Sequence, residues 1–122
     1  MREIKSHQFD AQDTSVRLFA TGDPGPGGAP LSYTLSTSLN KNTQEIAKLR
    51  FQNGPVKDNA ANGLTDEALI AVVIDRLQQF QKGPCSCREN ALAITKLEEA
   101  QHWLHHRTRD RKARGVEGQV VA

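Results

Sequence analysis

Ala93, Leu97, Ala100 and Leu104 recur at helical spacing, giving one apolar face to a segment that carries its own start and stop signals. Pro84 breaks the chain ahead of it. Ser86, with Glu89 three residues on, reads as a capping box, and Gly115 stands where a left-handed C-terminal cap belongs. The spacing predicts a single helix of about 28 residues, roughly 42 Å long. Continued by three or four residues, the apolar stripe runs on through Arg107, Arg111 and Arg114. Such a seam describes a helix packed at one end and facing an anion at the other.

A second helix is predicted just before it, in TDEALIAVVIDRLQQFQ, with Thr65 as its cap and Leu64 and Leu69 as a hydrophobic staple. Its apolar residues Leu69, Ile70, Val72, Val73, Ile74 and Leu77 cover more than one face, so it is expected to be covered on more than one side. QKGP closes the hairpin between the two helices.

Upstream the period drops towards two. LSYTLSTSL alternates Leu31, Tyr33 and Leu35 as a half-buried strand does, and EIAKLRFQ offers another strand through Ile46, Leu49 and Phe51, with KNTQ as the turn between. QFD and SVRLFA are short runs of β character split by the turn-like AQDT. TGDPGPGGAP, residues 21–30, is a loop on composition. NGPVKDNAANG, residues 53–63, is a second loop whose backbone amides are candidates for ligand contact, at Asn53, Gly54 and Asn62. The expectation is an α+β fold in one compact domain: a small antiparallel sheet over 1–52, then a loop and an antiparallel helical hairpin over 53–122, oligomeric.

Composition narrows the class. At 122 residues with 37% hydrophobic content, the core is modest and a partner chain would help to complete it. No apolar run approaches the ~20 residues of a membrane span. MREIKSHQFD lacks the apolar segment of a signal peptide, so the cytoplasm is the expected compartment. Cys85 and Cys87 are too close for an ordinary disulfide and fit reduced thiols. The net charge is +2, but His105–Arg114 alone holds five Lys/Arg against Asp110, a local +4, so the remaining residues sum to −2. That localised charge argues against indiscriminate binding to long nucleic acid.

The aligned arginines suit a phosphate-bearing ligand, because guanidinium forks match phosphate oxygens in bidentate geometry. From charge alone, a solvated basic helix end that suits the helix dipole explains them equally well. Phe80 ends the first helix and Asn90 opens the second. The ring is suited to stack on a base and the amide to bond a base edge or ribose. Ordinary core packing for Phe80 and local backbone bonding for Asn90 are the plainer readings. His102 and His106 stand four apart, yet Cys85 and Cys87 lie some 22 Å away along a straight helix, and neither HExxH nor paired CxxC is present; no metal is expected. No nucleophile with a base is visible, so neither an enzyme nor a cofactor is expected.

NGLTDEALIAVVIDRLQQFQKGPCSCRENALAITKLEEAQHWL followed by RTRDRKARGVEG is similar to the helical hairpin of phage anti-Thoeris and anti-CBASS sponge proteins, and RFQNGPVKDNAANG resembles their preceding loop. The N-terminal sheet places the likeness closer to the Thoeris anti-defence branch. The resemblance implies a non-catalytic protein of the host bacterial cytoplasm that sequesters cyclic ADP-ribose isomers and, in some members, cyclic di- and trinucleotides. It further implies dimers, often three to a hexamer, with pockets between subunits. Matched residue by residue, it gives Phe80 and Asn90 to the base and ribose region, and Arg107 and Arg111 to the pyrophosphate; Arg114 is a candidate from the stripe alone. Cys85–Cys87 stand where such proteins are expected to carry an aromatic.

Two other classes remain at this stage. One is a helical interaction module whose arginine stripe binds an acidic protein or a nucleic-acid backbone; the other is a hydrolase of the signal.

Overall fold

A computed structural model describes residues 1–39 and 42–119. Four strands form one antiparallel sheet in chain order: β1 (Arg2–Ile4), β2 (Val16–Ala20), β3 (Ser32–Leu39) and β4 (Asn42–Arg50). Then come a short helix α1 (Val56–Asn59) and two longer ones, α2 (Asp66–Gln81) and α3 (Arg88–Ala113). The fold is α+β, as the change of period predicts. The chain divides into two compact units, Met1–Leu64 and Thr65–Ala122.

Pairing explains why the sheet has one apolar face. Leu18 stands opposite Leu35, which stands opposite Ala47, and Ala20, Tyr33 and Leu49 align in the next row. Ala20 is buried, and Phe51 meets Tyr33 edge to face at 5.6 Å. A register shift at Leu35/Ser36 skips Ile46, whose side chain stays exposed. The other face is mostly polar, with Phe19 on it under the Arg17 guanidinium. There Glu3 and Arg17 form a two-pronged ion pair with both N···O distances 3.0 Å.

Two strand expectations are corrected. QFD is not a strand; β1 lies instead at Arg2–Ile4. Asp13 Oδ2 accepts from the Phe9 N–H and Asp10 Oδ1 from the Gln12 N–H, so short acidic side chains satisfy this backbone locally and leave Phe9 93% exposed. The KNTQ turn is shorter than expected, because Asn42, Thr43 and Gln44 pair with Leu39, Ser38 and Thr37. Lys41 lies outside the described residues.

Segment 53–64, expected to belong with the helices, is tied to the sheet unit. Gln52 N–H donates to Leu64 O at 2.9 Å and Leu64 N–H to Arg50 O at 2.8 Å.

In the helical unit, Thr65 caps α2 as expected, its Oγ1 accepting from Ala68 N–H at 3.2 Å, a contact worth about 1 kcal/mol. The start of α3 differs. Its N-cap is Cys87, with no side-chain cap bond, so the Ser86–Glu89 capping box does not form. The cause is local: Gln81 holds both backbone groups of Cys87, and the helix begins at Arg88. The far end follows expectation. Gly115 has φ +72° and donates to Lys112 O, while Val116 N–H reaches Arg111 O at 3.0 Å, the paired bonds of a Schellman ending.

The helices pack antiparallel, and Gln101 Nε2 donates to Glu67 O across them at 3.1 Å. Ala93, Leu97, Ala100 and Leu104 are half-buried along that contact, and Ile74 is the buried residue of α2. Val72 and Val73 stay exposed, because the hairpin covers only one side of α2.

Candidate functional site

The tip of the hairpin is built by side chains that close the turn. Lys82 N–H and Gly83 N–H donate to Gln79 O and Phe80 O, ending α2 with a tight bend. Gln81 then spans to Cys87 with two bonds, Nε2 to Cys87 O at 3.0 Å and Cys87 N–H to Oε1 at 2.9 Å. Asn90, in the first turn of α3, donates from Nδ2 to Cys85 O at 3.2 Å. The turn is thereby fixed from both helices, and Asn90 is held at its edge, half-buried, with its amide oxygen still an acceptor in kind.

Phe80 lies in the last turn of α2 and is 42% exposed, so within this protomer it is not ordinary core. The Arg76 guanidinium, one turn back, lies over the ring at 5.5 Å from its centroid. The tip thus offers an open aromatic ring, an anchored amide and a cation. Sequence reasoning placed Phe80 and Asn90 here but missed Gln81 and Arg76. The i, i+4 spacing of Arg76 and Phe80 was the available signal.

The arginines lie elsewhere. Asn90 and Arg107 are 17 positions apart on one continuous helix, about 25 Å at 1.5 Å per residue. A mononucleotide-sized ring does not span that distance, so one protomer does not bring Phe80 and Asn90 together with Arg107 and Arg111. Nor do the three arginines share one environment. Arg111 alone continues the half-buried stripe, donating to Val116 O at 3.2 Å and to Gln119 O. Arg107 is exposed, and Arg114 is exposed and paired with Asp110 at 2.9 Å. Around the helix from Leu104, Arg111 is about 20° away, while Arg107 and Arg114 are about 60° and 80° away, at 100° per residue.

Asn53 and Asn62 form a closed pair. Asn53 N–H donates to Asn62 Oδ1 at 2.8 Å, and Asn62 Nδ2 donates to Asn53 O at 3.0 Å. Gln52 Oε1 accepts from Asn62 N–H, so the amides expected to be open for a ligand at Asn53 and Asn62 are engaged within the loop. Gly54 has φ +79°, and a Cβ there would meet the Asn59 amide at 2.4 Å; its carbonyl accepts from Gln52 Nε2. This loop belongs to the sheet unit and reads as a self-bonded scaffold.

His102 and His106 each lie edge-on to the Trp103 ring, with centroids 5.5 and 5.7 Å away. Among the described residues no three His, Cys, Asp or Glu are grouped to hold a metal ion, and no helix is long and apolar enough to cross a membrane.

A family model described as Acb2/Tad1, hairpin domain, matches residues 45–109. The chain belongs to that family. The matched span takes in β4 from Glu45 onward, the 53–64 loop, α2, Phe80, Asn90 and Arg107, and stops short of Arg111 and Arg114. The chain is also similar to the protein named Thoeris anti-defense 1 of Bacillus phage SBSphiJ7, 51% identical over 94 residues. That alignment covers 77% of this chain and 63% of the relative, so the chain spans under two thirds of the relative's length. The hairpin tip lies wholly inside the matched region.

Proposed function

We propose that this protein is a phage anti-defence sponge that acts in the host bacterial cytoplasm. It binds cyclic nucleotide immune signals, cyclic ADP-ribose isomers first and cyclic di- and trinucleotides second, and holds them without cleaving them. The observation that carries the reading is the half-exposed Phe80 ring at the same hairpin tip as the anchored Asn90 amide, within a chain 51% identical over 94 residues to a protein named for anti-defence against Thoeris. A base stacks on such a ring with about 1–3 kcal/mol per base. The amide adds a directional bond to a base edge or ribose.

The chain works as an oligomer in this account. Val72, Val73, Leu92 and Trp103, the last 60% exposed, leave both long helices with apolar surface that a second copy would cover. The ~25 Å between Asn90 and Arg107 gives the assembly a further role. A neighbouring copy supplies what one tip lacks, and the arginine end of α3 serves phosphates at a separate contact between subunits.

The test is a thermal-shift panel of cyclic ADP-ribose isomers and cyclic di- and trinucleotides on the wild type, Phe80→Ala and Asn90→Ala. A ligand at a hundred times its Kd stabilises the folded state by about 2.7 kcal/mol. The proposal expects a clear shift with at least one cyclic nucleotide and a much smaller one in both variants. No shift across the panel, or equal shifts in all three proteins, rejects it.

A further inference from the structure

Two arginines in this chain lie over phenylalanine rings, and their surroundings differ. Arg17 lies 5.0 Å from the Phe19 centroid, but Glu3 takes its guanidinium in two bonds. Arg76 lies 5.5 Å from the Phe80 centroid, and among the described residues no carboxylate pairs with it. The neighbouring Asp75 is bonded instead by Gln79 Nε2 at 3.5 Å. The tip therefore carries an exposed guanidinium, with no carboxylate partner among the described residues, against a ring that is itself half open to solvent.

That pairing has a chemical meaning. A guanidinium over one face of a ring leaves the other face for a base, and its own plane is a stacking surface as well. Its forked donors match phosphate oxygens, and a phosphate one sugar away from a stacked base is within a flexible side chain's reach. Within the protomer Arg107 lies about 25 Å along α3 and does not reach the tip, so Arg76 is a cation the protomer itself offers a phosphate there, whatever a neighbouring copy adds. The other cations near the tip are Lys82, which caps α2, and Arg88, which opens α3; both are exposed.

Building on the sponge reading, we propose that Arg76 is a ligand-binding residue of the Phe80 site, holding a phosphate of the nucleotide whose base stacks on that ring. The ligand class it selects is an anionic nucleotide with phosphate close to the base, in preference to a neutral nucleoside.

The test is titration calorimetry with cyclic ADP-ribose on the wild type, Arg76→Gln, Arg76→Lys, Lys82→Gln and Phe80→Ala, with unfolding curves on each. Arg76→Gln is expected to weaken binding roughly ten- to thirtyfold with its unfolding midpoint unmoved, the loss of one charge-assisted contact. Arg76→Lys should recover part of the loss, and Lys82→Gln should change affinity by less than about threefold, as a screened surface charge does. Arg76→Gln binding like the wild type while Phe80→Ala is weakened overturns the role of Arg76 and leaves the sponge reading standing. Equal losses in Arg76→Gln and Lys82→Gln also overturn it, since they describe a diffuse field. No binding by the wild type, or none lost in Phe80→Ala, overturns the base-stacking site and Arg76 with it.

Discussion

Gln81 holds Cys87 by both of its backbone groups, donating to the carbonyl at 3.0 Å and accepting from the N–H at 2.9 Å. One side chain at the end of α2 thus pins the residue that enters α3, and it fixes the path between Phe80 and Asn90. Gln81→Ala is expected to cost about 1–2 kcal/mol in urea unfolding, the net worth of two neutral hydrogen bonds. Gln81→Glu keeps the acceptor and loses the donor, so it should fall between. Both variants should also bind cyclic nucleotide more weakly, because Asn90 is set against the same turn. Unchanged stability in Gln81→Ala contradicts the clamp.

The arginines of α3 should separate by environment. Arg107→Ala should lose about 1.5–3 kcal/mol of affinity, as for a charge-assisted contact, with stability intact. Arg111→Ala should lose affinity and also about 1 kcal/mol of stability, because its guanidinium bonds Val116 O and Gln119 O. Arg109, about 200° round the helix from Arg107 at 100° per residue, should cost under ~1 kcal/mol. Titration calorimetry at low and high salt with unfolding curves checks all three. Equal losses that vanish with salt would describe a generic basic surface instead.

Much of this was legible in the sequence, and the reasons it stopped are local. Thr65 and Gly115 announced helix ends because their chemistry there is self-contained: a hydroxyl on an orphan N–H, and a residue tolerant of positive φ. The Ser86–Glu89 box failed because the Ser86 N–H turns to Gly83 O and Gln81, six residues before Cys87, holds Cys87 as the residue that enters the helix, one position later than the box requires. QFD failed because Asp10 and Asp13 compete with strand pairing, a contest that alternation does not display. The arginine stripe was over-read. Spacing alone placed Arg107, Arg111 and Arg114 on one seam, whereas only Arg111 is half-buried along it. Asn53 and Asn62 looked available because composition marks a loop but not the side chains that bond its amides.

The sheet carries its own pH signature. Hydrogen bonding from Arg17 lowers the Glu3 carboxyl pKa from its ordinary value, outweighing an opposing desolvation. A depressed carboxylate adds stability above its unfolded pKa and loses it as pH falls through the folded value. The gap in unfolding midpoint between wild type and Glu3→Gln should therefore be present at neutral pH and close under acid. A gap independent of pH contradicts the pairing.

Self-association should be measurable directly. Light scattering is expected to give a mass that is a multiple of 13.5 kDa, set by apolar helix faces that include Val72 and Trp103. Val73→Asp should shift the population towards smaller species by placing a charge on that surface. A folded 13.5 kDa monomer at micromolar concentration contradicts the assembly.

Sequestration without cleavage is the central claim, and ligand recovery tests it most directly. The protein is mixed with a cyclic ADP-ribose isomer at a slight molar excess of sites, and free ligand is measured in the filtrate before and after heat denaturation. Free ligand is expected to nearly disappear from the filtrate, then to return intact and in full once the protein unfolds, with Phe80→Ala removing little of it. A linearised or hydrolysed product in the heated filtrate, or ligand that never leaves the filtrate, contradicts it.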